Sequence, residues 1–177
     1  MAPPLKFRAV TKLVPDAYHG TSRANVTTVL KRGLQPSRGA KQYLGDGVYF
    51  FEGSQSLAIE WAENLFGKGN VAVFKAEILL GRCLDLNDID HRRALSEGAT
   101  LIAERAKKLA ASGKQIKISD ALIINLICNQ VGIDCVRACY INTSGGKVFS
   151  GSHYYMHSEL ILCVRNPRNI RNLHRIV

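Results

Sequence analysis

The strongest constraint on this chain is how its patterns alternate. Short stretches with helical apolar spacing and short strand-like stretches follow one another irregularly over 177 residues. No internal repeat, low-complexity tract or Pro/Ser/Gly-rich linker divides them. Such alternation reads as α+β, and the length suits one domain at roughly 100–200 residues per domain. The expectation is a single domain over 1–177. Apolar residues make up 46% and charged residues 21%, which excludes disorder over the whole length. No apolar run reaches the roughly 18 residues of a membrane span, and residues 1–6 hold no signal-like apolar stretch. A cytoplasmic protein without a membrane partner is therefore expected.

Local signals place the elements. A helix is predicted over 22–32, capped by Thr21 or Ser22 and stopped at Gly33. Gly45-Asp46-Gly47 reads as a turn before a strand over 48–51. A helix follows over 54–66, with Leu57, Ala58, Trp61, Ala62 and Leu65 on one face. Residues 71–80 read as a strand with Lys75 and Glu77 on its polar side. Residues 88–112 read as mostly helical, and Ser119 caps a further helix running to Val131 before Gly132. A strand over 134–142, a long loop over 143–158 and a continuous apolar strand over 159–165 come next. Asn166-Pro167 resembles a helix start, after which Arg168, Arg171 and Arg175 would share one face and Ile170, Leu173 and Val177 another.

Lys plus Arg number 24 against 14 Asp plus Glu, a net charge of +10. A field of that strength attracts polyanions, or marks a surface for an acidic partner protein. The basic segments are Lys6, Arg8 and Lys12; Lys107, Lys108, Lys114 and Lys117; and Arg165, Arg168, Arg171 and Arg175. The five cysteines show no C-x-x-C pair, and most sit among apolar neighbours, as buried thiols of a reducing compartment do. Cys135-x3-Cys139 lies inside a strand-like run, so a zinc site is discounted.

Three places suit chemistry. At Tyr18-His19-Gly20-Thr21 a glycine lets the backbone approach a planar amide, and the following helix end offers donors to a phosphate or ribose. At Gly45-Asp46-Gly47-Val48-Tyr49-Phe50 a tight turn delivers Tyr49 onto a strand, where its ring either stacks on a heterocycle or packs in the core. Glu159 heads an apolar strand, a costly place for a carboxylate unless it is paired or set at a cleft edge.

In this order the three motifs resemble the ADP-ribosyltransferase superfamily, in the His-Tyr-Glu branch of poly(ADP-ribose) polymerases and diphtheria-type toxins. The resemblance covers 18–80 and 153–165, with 85–142 matching only in coarse element order. It implies a split antiparallel β-sheet sandwich with flanking helices, and NAD as substrate without a metal. His19 matches the residue that binds the adenosine ribose. Gly20 matches the backbone partner of the nicotinamide amide, and Thr21 the small polar residue after it. Tyr49 matches the nicotinamide-stacking Tyr, and Ser54 or Ser56 falls near a Ser that bonds the nicotinamide carbonyl. Glu159 matches the catalytic Glu, which stabilises the oxocarbenium-like charge formed when nicotinamide leaves.

Arginine-specific members carry Glu-x-Glu, whereas His157 stands two residues before Glu159. Arginine modification is therefore disfavoured, and transfer of a single ADP-ribose is expected. The resemblance directs the loop before Glu159 at the target. Its Lys147, His153, Tyr154, Tyr155 and His157 either contact a splayed base or pack the loop onto the core. With Arg168, Arg171 and Arg175 they form the target-binding expectation. The acceptor expected is nucleic acid, RNA set slightly ahead of DNA on the availability of single strands alone. Relatives of that kind suggest a toxin held by an antitoxin, or a phage-defence effector. The alternatives are a protein-modifying transferase, an RNA 2′-phosphotransferase, and a non-catalytic module that binds NAD or a polyanion.

Overall fold

The computed structural model describes residues 9–39, 41–110 and 117–177. Lys6, Arg8 and Lys114 lie outside them. In chain order the elements are β1 (Ala9–Ser22), a 3-10 turn (Arg23–Asn25), α1 (Val26–Arg32), β2 (Val48–Glu52), α2 (Gln55–Phe66) and β3 (Val71–Asp85). There follow α3 (Ile89–Ala110), α4 (Asp120–Val131), β4 (Cys135–Lys147), β5 (Tyr155–Val164), a second 3-10 turn (Pro167–Asn169) and β6 (Ile170–Arg175). The α+β expectation holds.

The six strands form two antiparallel groups joined at short junctions. In the first, β3 is flanked by β1, from Ser22↔Val71 to Ala9↔Arg82, and by β6, from Phe74↔Arg175 to Ile78↔Ile170. In the second, β5 is flanked by β2 and β4. The groups meet where β1 touches β2 at Ala17↔Glu52 and Tyr18↔Phe51, and where β3 runs parallel to β4 at Cys83↔Cys135 to Asp85↔Arg137. This is the split sheet the resemblance implies.

Both faces of β5 are covered, which explains its unbroken apolar run. Leu162 and Val164 enter the cluster between the two groups, with Val14, Ala17, Val48, Phe50, Phe74 and Ile78. Ile161 and Cys163 face a second cluster with Leu44, Ile124, Cys128 and Val136, roofed by α4. In β3 the alternation Ala72, Phe74, Ala76, Ile78 and Leu80 faces inward, while Lys75 and Glu77 face out. Burying a Phe or Ile so completely contributes roughly 1.5–3 kcal/mol. Ser54 and Ser119 cap α2 and α4, accepting from Leu57 N–H and Leu122 N–H at 3.3 Å, each cap worth about 1 kcal/mol.

Several local expectations need correcting. His19-Gly20-Thr21 lies on β1, and the helix predicted from residue 22 begins only at Val26, because β1 pairs with β3 as far as Ser22. Ser22 makes no side-chain cap, and Thr21 Oγ1 instead accepts from Asn25 Nδ2 at 3.2 Å. On α2 only Ala58 and Ala62 are buried, since the helix approaches β1 too closely for larger side chains, while Trp61 and Leu65 are exposed. The loop over 143–158 is mostly hairpin: β4 runs to Lys147 and β5 begins at Tyr155. Its glycines misled because Gly145 packs under the His157 ring, and Gly146 (φ 77°) lies where the register shifts.

The C-terminal helix does not form. Asn166 caps only one 3-10 turn, accepting from Arg168 N–H at 3.2 Å, and the chain then pairs along the free edge of β3. A short helix has little stability of its own, whereas that edge supplies a ladder. Asn172 (φ 50°) interrupts the strand alternation, so Ile170 and Leu173 both reach the core at a spacing of three that imitates a helix.

Candidate active site

His19 sits where β1 leaves β2. Its Nδ1 lies 2.7 Å from the Tyr49 carbonyl oxygen, and its ring meets Phe50 edge-on at 5.7 Å between centroids. Burial lowers the imidazole pKa, against the opposing pull of the Tyr49 carbonyl. Gly20 has a packing reason to be glycine: a Cβ there would stand 2.2 Å from the Ala58 carbonyl oxygen of α2. Among the described residues the β2-facing edge of β1 has no strand partner beyond Tyr18.

Tyr49 is half-buried and faces the α4 side, opposite Cys163. Its hydroxyl donates to the Gly45 carbonyl at 2.8 Å and accepts from Leu44 N–H at 3.1 Å. Burial raises its pKa. The Gly45-Asp46-Gly47 turn is held from below as well. Asp46 N–H donates to Asn125 Oδ1 at 2.8 Å, and Arg165 donates to the Asp46 carbonyl at 3.0 Å and to Asn125 at 2.7 Å. Arg165 is thus part of the scaffold beneath this turn. Cys163, pushed up to about 12 by burial, is an inert packing thiol beneath the same turn.

Glu159 lies on β5 beyond the last β2 pair, Phe51↔Ile161, and directly opposite Tyr140 of β4. Among the described residues its carboxylate has no hydrogen-bond or ion-pair partner. Burial raises its pKa; His157 opposes the rise and Glu60 adds to it. His157, two residues earlier on the same strand face, is half-buried against Gly145.

Two residues that the sequence reading did not single out link these parts. The Tyr43 ring is 6.0 Å from that of Tyr49 and 5.3 Å from that of Tyr140. Its pKa is raised by burial first and by Glu159 next. Tyr43 lies two residues before Gly45, with no periodicity to mark it, and Tyr140 becomes visible only through the β4–β5 register.

The other expected residues scatter. Ser54 spends its oxygen on the α2 cap, and Ser56 is exposed on the first turn of that helix. Lys147, His153 and Tyr154 are exposed around the hairpin tip, and Tyr155 is half-buried opposite Lys147. Arg168, Arg171 and Arg175 are exposed, but they belong to the 3-10 turn and β6 of the other strand group. The structure joins His19 to Tyr49, links Tyr49 through Tyr43 to Tyr140 beside Glu159, and leaves the C-terminal arginines on a separate edge. A cleft of about 390 Å³ beside Asn129, Gly132 and Arg165 contains none of these three. Among the described residues there is no metal-binding group of three or more His, Cys, Asp or Glu, and no helix long and apolar enough to cross a membrane.

A split sheet with His, Tyr and Glu on adjoining strands defines an ADP-ribosyltransferase-type domain. Residues 12–131 match the poly(ADP-ribose) polymerase catalytic domain, so the chain belongs to that family, whose members use NAD as the ADP-ribose donor. The chain is also 34% identical over 84 residues to the uncharacterized protein MJ0359 of Methanocaldococcus jannaschii, a match covering 42% of this chain and 38% of that protein. The chain thus spans well under half of that relative's length.

Proposed function

We propose that this domain transfers a single ADP-ribose from NAD to nucleic acid, RNA ahead of DNA, as a toxin or phage-defence effector. The observation that carries the reading is Glu159: a carboxylate without a hydrogen-bond or ion-pair partner among the described residues, beside exposed tyrosines, in a chain of net charge +10. The carbonyl of Tyr49 can only accept, so Nδ1 of His19 donates and Nε2 keeps its lone pair for a ribose hydroxyl. The free edge of β1 at Gly20 offers peptide groups to the nicotinamide amide. As the bond between nicotinamide and ribose breaks, its electron pair returns to the nicotinamide nitrogen and the sugar becomes cationic. Glu159 stabilises that charge. An acceptor nitrogen or oxygen then bonds to the anomeric carbon and releases its proton to solvent or to the carboxylate.

The apolar hairpin tip, with Val148, Phe149 and Met156 exposed, is the observation that favours the second reading, a protein acceptor. Labelled NAD is incubated with cellular RNA, DNA and protein, with Glu159→Gln as control. Label on nucleic acid that the variant fails to add supports the first reading. Label on protein alone supports the second, and no label removes both.

A further inference from the structure

We infer that Tyr43 and Tyr140 form the platform on which an unpaired nucleobase of the acceptor strand stacks beside Glu159. This deepens the nucleic-acid reading above and rests on it. Both rings remain open to solvent, at 36% and 46% exposure, while their centroids are 5.3 Å apart and their planes 36° from parallel. Tyr140 is the cross-strand neighbour of Glu159, which puts a base lying on it, and the sugar of that nucleotide, next to the carboxylate.

The position favours the acceptor over the nicotinamide. β5 carries Glu159 and separates two sides: β2 with Tyr49 and, behind it, His19 on one, and β4 with Tyr140 on the other. Tyr43 already closes on Tyr49 at 6.0 Å. A third ring between them would need two contact distances, about 7 Å in all. Tyr140, the more exposed of the two rings, stands on β4, and from there the strand leads to the exposed Lys147 and the hairpin tip. A chain of net charge +10 supplies the long-range attraction for phosphate, and the rings supply contacts that only a base can use.

The test compares binding of a 12-nucleotide single-stranded RNA with binding of the same length of abasic sugar-phosphate, using the whole chain. Wild type is expected to prefer the base-bearing strand by roughly tenfold or more, the scale of one to two stacked bases. Added salt weakens both ligands but leaves their ratio, since phosphate contacts are common to both. Tyr140→Ala and Tyr43→Ala are expected to abolish the preference while unfolding at the wild-type temperature, and Tyr140→Trp to retain it. Equal binding of both strands by wild type, or an undiminished preference in Tyr140→Ala, overturns the platform. NAD cleavage by wild type is read separately. Base-dependent binding without cleavage upholds the platform and removes the transferase reading; cleavage without base-dependent binding does the reverse.

Discussion

The Nδ1 atom of His19 and the carbonyl oxygen of Tyr49 are 2.7 Å apart, although the residues are 30 positions apart in sequence. This bond crosses from β1 to β2 where their strand pairing has ended, and it fixes the imidazole tautomer. Burial depresses the His19 pKa below the ordinary 6.5, so the folded state favours the neutral ring. Above pH 6.5 the ring is neutral in both states and adds nothing to the pH dependence. As the pH falls below 6.5 the unfolded chain takes up the proton first, and stability is lost until the folded pKa is passed. We expect His19→Gln to flatten this acid limb in a pH series of unfolding midpoints and to weaken NAD binding by about tenfold, the value of one lost hydrogen bond of about 1.4 kcal/mol.

Glu159 shows the opposite sign. Its folded pKa is raised, so at neutral pH the ionised carboxylate costs the folded state free energy, a cost that vanishes below the ordinary carboxylate range near 4.5. Glu159→Gln is expected to abolish ADP-ribose transfer and to raise the unfolding midpoint at pH 7, with the gain fading as the pH is lowered toward 4. A lower midpoint at pH 7 would show that Glu159 is held by a favourable partner.

Gly20 separates packing from substrate approach. A Cβ 2.2 Å from the Ala58 carbonyl cannot be accommodated without moving α2 off β1. Gly20→Ala is expected to cost about 3 kcal/mol, the upper range for overpacking, as read by denaturant unfolding with an unchanged slope. Stability like that of wild type with loss of NAD binding would return the glycine to a purely substrate-facing role.

Much of this was legible in the sequence. Ser119, Val131 and Gly132 bound α4 because caps and a left-handed glycine act locally. His19, Tyr49 and Glu159 stood out as a candidate set through the order of their motifs, which carries the resemblance. The hairpin and β6 were not, because their structure depends on distant partners. Glycines at 145 and 146 break a strand by local rules, yet here they admit a histidine ring and a shift of register. The Ile170 and Leu173 spacing fits a helix until the free edge of β3 is known. Tyr43 and Tyr140 carry no local mark, since only the pairing of Tyr140 with Glu159 places them at the site.

The Tyr49 hydroxyl makes a structural claim apart from ring stacking. It holds the backbone of Leu44 and Gly45, and so positions the turn that carries Tyr43. Tyr49→Phe keeps the ring and leaves the Leu44 N–H without that partner, an expected loss of about 1–2 kcal/mol. Transfer to nucleic acid is expected to fall along with stability, while hydrolysis of NAD by water, which needs no platform, falls less. Equal losses in both reactions would assign the hydroxyl to the donor side alone.

Arg137 braces the junction of the two strand groups. It donates from Nε and Nη2 to both oxygens of Glu52 at the end of β2, at 2.6 and 2.9 Å, and from Nη1 to Asp85 at the end of β3, at 2.9 Å. The side chains are 14%, 18% and 25% exposed, so water screens them only in part, and Glu52, with Asp85 after it, holds the guanidinium above its usual pKa range. Removing Arg137 leaves two largely enclosed carboxylates without their shared cation, whereas replacing the whole set by neutral groups leaves no charge behind. Arg137→Met is therefore expected to cost about 3 kcal/mol. Adding Glu52→Gln and Asp85→Asn to Arg137→Met is expected to recover part of that loss in a cycle of single and combined variants. Because Glu52 closes the strand that carries Tyr49, the single variant is also expected to lose NAD affinity, and the triple variant to regain some. Independent, additive losses would show that the three residues lie close together without acting as a brace.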